Sequence, residues 1–355
     1  MAPRPTSSSA HAGRTRGNRL RRTLLAALVT ASVALPLSGA ARPGAVPAPV
    51  PAALAPLTTA TPAALDERYA ADRAAVRAAE RTAADHGDRA RAAALDAMAA
   101  PGRQFLSFDG RDGGRTTEVF GDLSGAALIA VLVPGSDTDL DTYERLRTGA
   151  VALQRQLGPQ AAVIAWLGYR TPGTVSPEVL TPGRADEAAP ALRQFTAALH
   201  ALRPTARTSL LCHSYGSVVC GRAAAGATGG NGLQVADIVL YGSPGTGADN
   251  IAGLHTRATV WAGRGSGDWI SDVPHVRLPL LFTSIGFGTD PVSPEFGAQV
   301  FPAGDGGHSD YLRPGSVPLR SIARIVAGQD PRTPQTAPLP APQTPQTQVS
   351  EDRHA

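Results

Sequence analysis

The sequence predicts an α/β protein, a mostly parallel sheet with helices on both faces, preceded by an Ala-rich helical segment. Three observations carry this. From residue 126 onward, short apolar runs alternate with amphipathic helical patterns, the signature of parallel strands buried on both faces. The run Leu211-Cys212-His213-Ser214-Tyr215-Gly216-Ser217 sets a serine between the end of an apolar strand and the start of a helix. The composition also changes near residue 100, from Ala- and Arg-rich to strand-forming.

At 355 residues, 43% of them hydrophobic, the chain is long enough for one large core with accessory segments. All 33 Lys/Arg positions are arginine, concentrated near the N-terminus and in the Ala-rich stretch, and the formal net charge is only +4. No basic run is interleaved with aromatics, so no nucleic-acid surface is predicted.

Along the chain, Arg14, Arg16, Arg19, Arg21 and Arg22 precede an apolar stretch over residues 24–37, and Ser38-Gly39-Ala40 offers small residues for cleavage. Residues 1–40 therefore read as an export signal, Sec or twin-arginine, and the protein is expected to be secreted or cell-envelope associated. Pro36 and Gly39 cut the apolar stretch short of the about 20 residues that a membrane span needs. Residues 41–61 form an Ala/Pro linker. Pro62 suits a first helical position, and residues 62–100 read as one long helix or as two broken near Gly87, with Leu65, Tyr69, Val76, Leu95 and Met98 as anchors.

Residues 101–328 form the main domain. Residues 104–108 and 116–120 flank a glycine-rich turn and predict a hairpin. Strands follow at 126–133, 161–167, 208–212, 235–241, 258–262 and 299–301. Helices are expected at 140–157, 185–202 (interrupted by Pro190), 217–225 and 317–326. Residues 226–232, glycine-rich, read as a mobile loop, and residues 329–355, rich in Pro, Thr and Gln, as a disordered tail.

Ligands in such sheets bind at the carboxyl ends of the strands, and the chemistry-bearing residues cluster there. A serine hydroxyl needs a base within hydrogen-bond reach and a carboxylate to orient that base. Ser214 occupies a G-x-S-x-G-like turn with Cys212 replacing the first glycine. Asp268 follows the 258–262 strand in Gly263-Arg264-Gly265-Ser266-Gly267-Asp268, and His308 follows later in Gly307-His308-Ser309-Asp310-Tyr311. The order Ser214, Asp268, His308 is that of a Ser-Asp-His triad. Asp290, before Pro291, is the alternative acid; Asp272 and Asp310 also compete. His213 is expected to face away. Two backbone N–H groups would form the oxyanion hole, those of Ser136 and Tyr215.

These stretches resemble the actinobacterial α/β-hydrolase family defined as a domain of unknown function, DUF1023. The resemblance covers roughly residues 100–328. Its motifs recur in order: Ala130-Val131-Leu132-Val133-Pro134-Gly135, Val163-Ile164-Ala165-Trp166-Leu167-Gly168-Tyr169, the serine turn, Tyr241-Gly242-Ser243-Pro244-Gly245, Val260-Trp261-Ala262-Gly263, Ser293-Pro294-Glu295-Phe296-Gly297 and the His308 motif. It implies an α/β-hydrolase fold and a serine nucleophile, and no particular substrate.

The expected function is therefore an exported serine hydrolase of esterase or lipase type, cleaving an ester, thioester or amide of a small-molecule or lipid-like acyl substrate. Neither a cofactor nor a metal is required. The alternatives are an acyltransferase using the same triad and a non-catalytic envelope binding or scaffold module. Trp166, Tyr169, Trp269, Phe296 and Tyr311 are the aromatics available to line an acyl pocket or to pack the core. The two cysteines, Cys212 and Cys220, are equally compatible with a disulfide and with two buried thiols.

Overall fold

The computed structural model describes residues 47–226, 232–273, 275, 278–279 and 284–333, all within one compact unit that begins at Pro47. The expected export signal, the start of the linker, most of the glycine-rich 226–232 loop and the tail beyond residue 333 lie outside the described residues. Among the described residues no helix is long and apolar enough to cross a membrane.

The Ala-rich segment folds as two helices. Helix α1, Pro62–Asp85, starts where the Thr61 side chain accepts a hydrogen bond from the Ala64 N–H and Pro62 takes an early position that needs no donor. It gives way at Gly87, whose φ of +84° suits a residue without a Cβ. Asp88 then caps α2, Arg89–Met98, by accepting from the Arg91 N–H at 2.9 Å. All five large anchors, Leu65, Tyr69, Val76, Leu95 and Met98, are buried, and Leu65 and Tyr69 join the main core. The segment is thus packed on the domain.

The sheet has eight strands. In chain order the elements are β1 (Gln104–Asp109), β2 (Arg115–Phe120), β3 (Leu128–Val133), α3 (Glu144–Leu157), β4 (Ala161–Leu167), α4 (Gly183–Leu202), β5 (Arg207–His213), α5 (Gly216–Ala225), β6 (Asp237–Tyr241) and β7 (Thr259–Gly263). A two-strand ribbon, β8 (Leu278–Pro279) with β9 (Ser284–Ile285), precedes β10 (Gln299–Val300) and α6 (Val317–Val326). The spatial order is β1-β2-β4-β3-β5-β6-β7-β10. β1, β2 and β4 pair antiparallel, and the run from β4 to β10 is parallel throughout. The chain passes from β3 to β4 on one side, then crosses back to β5 on the other. That reversal opens a crevice at the carboxyl ends of the strands. Register aligns Val133 with Cys212, and His213 with Tyr241 and Gly263, along that edge.

Most element ends fall within two residues of the sequence expectation, and two helices depart from it further. Helix α3 begins at Glu144 rather than at 140, because the Asp139 carboxylate accepts from the Asp141 and Thr142 N–H groups at 3.0 and 2.9 Å and holds a turn there. Helix α4 runs through Pro190 without interruption. Pro190 is exposed, so the carbonyl left without its helical donor can turn to water, and the ring is tolerated.

One buried ion pair ties the helices to the hairpin. Arg103 donates to Glu118 from Nε (2.6 Å) and Nη2 (2.7 Å), and from Nη1 to the Ala97 carbonyl of α2 (3.0 Å). Its side chain is 8% exposed and that of Glu118 2%, so each charge depends on the other. Glu118→Gln should lower stability by about 3–5 kcal/mol, the cost of stranding a buried guanidinium, in urea unfolding. Arg103→Met with Glu118→Leu should recover most of that loss.

Candidate active site

Ser214 stands immediately after β5 in a left-handed backbone conformation, φ +52°, which is uncommon for a residue with a side chain and costs on the order of 1–3 kcal/mol. The surroundings impose it. The Ser214 N–H donates to the Tyr241 carbonyl at 3.1 Å, and the Ser214 carbonyl accepts from Ser217 at 2.9 Å as α5 begins. Gly216 lies so close to the end of β3 that a Cβ there would sit 2.5 Å from the Val133 oxygen and 2.7 Å from the Pro134 oxygen. The turn can pass only with glycine at that position. Cys212, where the usual motif has its first glycine, is disulfide-bonded to Cys220 of α5, with Cα atoms 6.5 Å apart. The bond staples strand to helix across the serine turn.

His308 completes the arrangement from the loop between the edge strand β10 and α6. Its Nε2 is 2.9 Å from Ser214 Oγ, and its Nδ1 is 2.9 Å from Asp268 Oδ1. Because a carboxylate only accepts, the proton on His308 sits on Nδ1, leaving Nε2 to accept from the serine. Asp268 is buried. Burial alone would raise its pKa, but hydrogen bonds from His308, from the Tyr311 hydroxyl and from the Ile270 N–H outweigh that, so the carboxyl is held below its usual value. The glycine-rich flanks let the two loops meet: a Cβ on Gly265 would lie 2.3 Å from the Gly306 carbonyl.

The structure thus brings Ser214, Asp268 and His308 together. It does not bring Asp290 to them. Asp290 receives Arg264 Nη1 at 2.6 Å and the Val292 N–H at 3.1 Å, and it makes no contact with His308 among the described residues. Asp310 accepts from the Gly307 N–H at 2.9 Å and shapes the histidine loop. Asp272 ends the short helical turn that follows Asp268.

The turn after β3 presses on Ser214: a Cβ on Gly135 would be 2.6 Å from the serine Cβ. Ser136 follows it, and Tyr215 follows Ser214. The backbone N–H groups of Ser136 and Tyr215 have no hydrogen-bond partner among the described residues.

Two supporting residues were not assigned these roles by sequence. His213 does not simply face away. Its Nε2 donates to the His308 carbonyl at 2.8 Å, and its ring lies 4.8 Å from that of His308. Burial, with repulsion from His308, pushes its pKa down to about 4, so it is neutral near pH 7. Tyr311, an expected pocket liner, spends its hydroxyl on Asp268 while accepting from the Gly265 N–H at 3.1 Å. The only sequence signal for either was adjacency to Ser214 or His308. Of the other aromatics, Trp166, Tyr169 and Phe296 are core, whereas Trp269 is 50% exposed with its ring 4.7 Å from that of His308. Among the described residues no group of three or more His, Cys, Asp or Glu could hold a metal ion.

Residues 109–278 match a family described as alpha/beta hydrolase. Over an alignment of 140 residues the chain is 30% identical to uncharacterized proteins of Mycobacterium tuberculosis and Mycobacterium bovis, which covers 36% of this chain and 50% of each relative. The chain therefore spans about half the length of the curated relatives it matches. Among solved structures, an α/β serine hydrolase without a lid from Xanthomonas campestris is similar at a TM-score of 0.41 and 19% identity, over 66% of this chain and 98% of that one. Esterase LipW from Mycobacterium marinum is similar at 0.40 and 15%, over 70% and 88%.

The disulfide closes a short loop, eight residues from Cys212 to Cys220. Loop-closure entropy puts its contribution at about 2.5 kcal/mol. Cys212→Ala with Cys220→Ala should lose about that much unfolding free energy and unfold at a lower urea concentration, and an unchanged midpoint would exclude the staple in solution.

Proposed function

The chain has the α/β-hydrolase fold, and on that premise we propose that it is an exported serine hydrolase that cleaves an ester, thioester or amide through an acyl-enzyme. The observation that carries this reading is the continuous relay from Ser214 Oγ through His308 to Asp268, with 2.9 Å at each step. Ser214 attacks the substrate carbonyl as His308 Nε2 takes its proton. Asp268, kept ionised by its hydrogen bonds, stabilises the resulting imidazolium. The N–H groups of Ser136 and Tyr215 receive the oxyanion; one such donor is worth about 2.7–4 kcal/mol of transition-state stabilisation. His308 then returns the proton to the leaving group. Water, deprotonated by His308, attacks the acyl-enzyme and regenerates Ser214.

Export is supported by the N-terminal sequence pattern and by the disulfide, which persists in oxidising compartments. The substrate is then a small-molecule or lipid-like acyl compound met outside the cytoplasm or in the cell envelope. His213 and Tyr311 hold His308 and Asp268 in place.

A fluorophosphonate probe should label wild type at Ser214 and leave Ser214→Ala unlabelled. An intact wild type that stays unlabelled while a control esterase reacts would refute the reading. On any ester that is turned over, Ser214→Ala should lower kcat by about 10⁴-fold or more. Tyr311→Phe removes one hydrogen bond from a buried carboxylate, so it should lower kcat by about tenfold with KM nearly unchanged in steady-state kinetics.

A further inference from the structure

A cavity of about 360 Å³ opens beside His308. His308, His213, Pro134, Leu146, Tyr241 and Leu312 are among the residues that line it. Ser214, Ser136 and Tyr215 do not line it. The cavity therefore adjoins the base, and neither the nucleophile nor the residues of the two N–H groups belong to its lining.

Its charge is lopsided. Arg145 and Arg313 both line it. Arg145, in the first turn of α3, is exposed and makes no ion pair among the described residues. Arg313 is 68% exposed and only 3.8 Å from Asp310. Asp310 is the sole carboxylate in the lining, and its other oxygen already accepts from the Gly307 N–H. A second cavity of about 360 Å³ shares Thr148 and Pro314 with the first and carries Arg147 and Arg155.

The proposed mechanism assigns sides to this geometry. The acyl oxygen points to Ser136 and Tyr215. The leaving atom receives its proton from His308 Nε2, so the leaving group must lie against His308. We propose that this cavity binds the leaving group, and that Arg145 and Arg313 select one whose far end is anionic, a carboxylate or a phosphate. The inference rests on the hydrolase reading and narrows its substrate class. The size suits it, because about 300–1,000 Å³ holds a small ligand. Apolar walls would take the body of the leaving group, and guanidinium groups match the planar acceptor geometry of a carboxylate or phosphate.

The test compares charge on the two sides of the scissile bond. The leaving-group arm uses the acetyl esters of 4-hydroxybenzoate and of 4-hydroxybenzamide, with 4-acetoxyphenyl phosphate to separate phosphate from carboxylate. The acyl arm uses 4-nitrophenyl hemisuccinate and 4-nitrophenyl butyrate. Wild type should favour an anionic leaving group over the benzamide ester by about tenfold in kcat/KM at low salt, the scale expected of exposed guanidinium contacts. Added salt should erode that preference. Arg145→Ala with Arg313→Ala should abolish it, the anionic esters losing about tenfold in kcat/KM relative to the benzamide ester. Equal preference in wild type and variant, or a preference confined to the acyl arm, would overturn the inference.

Failure of the hydrolase reading shows separately, as absence of both labelling and turnover. The cavity is then judged by tryptophan fluorescence of Ser214→Ala, with Trp269 beside His308 as reporter. Saturable quenching by 4-hydroxybenzoate or phenyl phosphate but not by 4-hydroxybenzamide, lost on removing both arginines, would support anion binding. No difference between the acids and the amide would overturn it.

Discussion

The constraint on which the site depends is the close approach of the serine turn to the end of β3. The backbone must leave β5, reverse through Ser214 in a left-handed conformation and enter α5 within van der Waals contact of the Val133 and Pro134 carbonyls. Only glycine fits at 216. Cross-strand register brings Tyr241 close enough to accept from the Ser214 N–H. The disulfide from Cys212 to Cys220 fastens the two arms of the turn to one another. Local strain at Ser214 is thus held by sheet pairing, close packing and a covalent link, and the hydroxyl is delivered to the crevice edge.

Everything else at the crevice is arranged around that fixed point. Two loops far apart in sequence carry Asp268 and His308, and they meet because glycines on both sides permit backbone to touch backbone. Tyr311 and His213 then act as braces, one gripping the carboxylate and the other the main chain of the histidine. Their own states follow from burial: the Tyr311 hydroxyl is kept protonated and His213 is kept neutral. The Trp269 ring also lies 4.7 Å from that of His308 while remaining half open to solvent.

Much of this was legible in the chain. The parallel strands announced themselves as apolar runs, because strands buried on both faces cannot alternate with polar residues. The serine, aspartate and histidine could be ordered because each follows its own strand. Other points were not legible. Asp268 and Asp290 both follow glycine-rich stretches. Their difference lies in partners, Arg264 for Asp290 and His308 for Asp268, which are set by loop paths rather than by local sequence. His213 was expected to face away because adjacency to Ser214 says nothing of where its ring packs. Pro190 was expected to interrupt α4, but its place on the solvent face makes it tolerable.

By itself, then, the sequence determined the fold class, the element order and the identities of the residues at the strand ends. These depend on periodicity and on short-range turn chemistry, which neighbouring residues carry. Tertiary structure alone decided which acid meets the histidine, that the two cysteines are joined, that Tyr311 and His213 serve as braces, and that arginines flank the cavity beside His308. Each is a contact between segments distant in the chain, and distance in space is what a linear pattern does not encode.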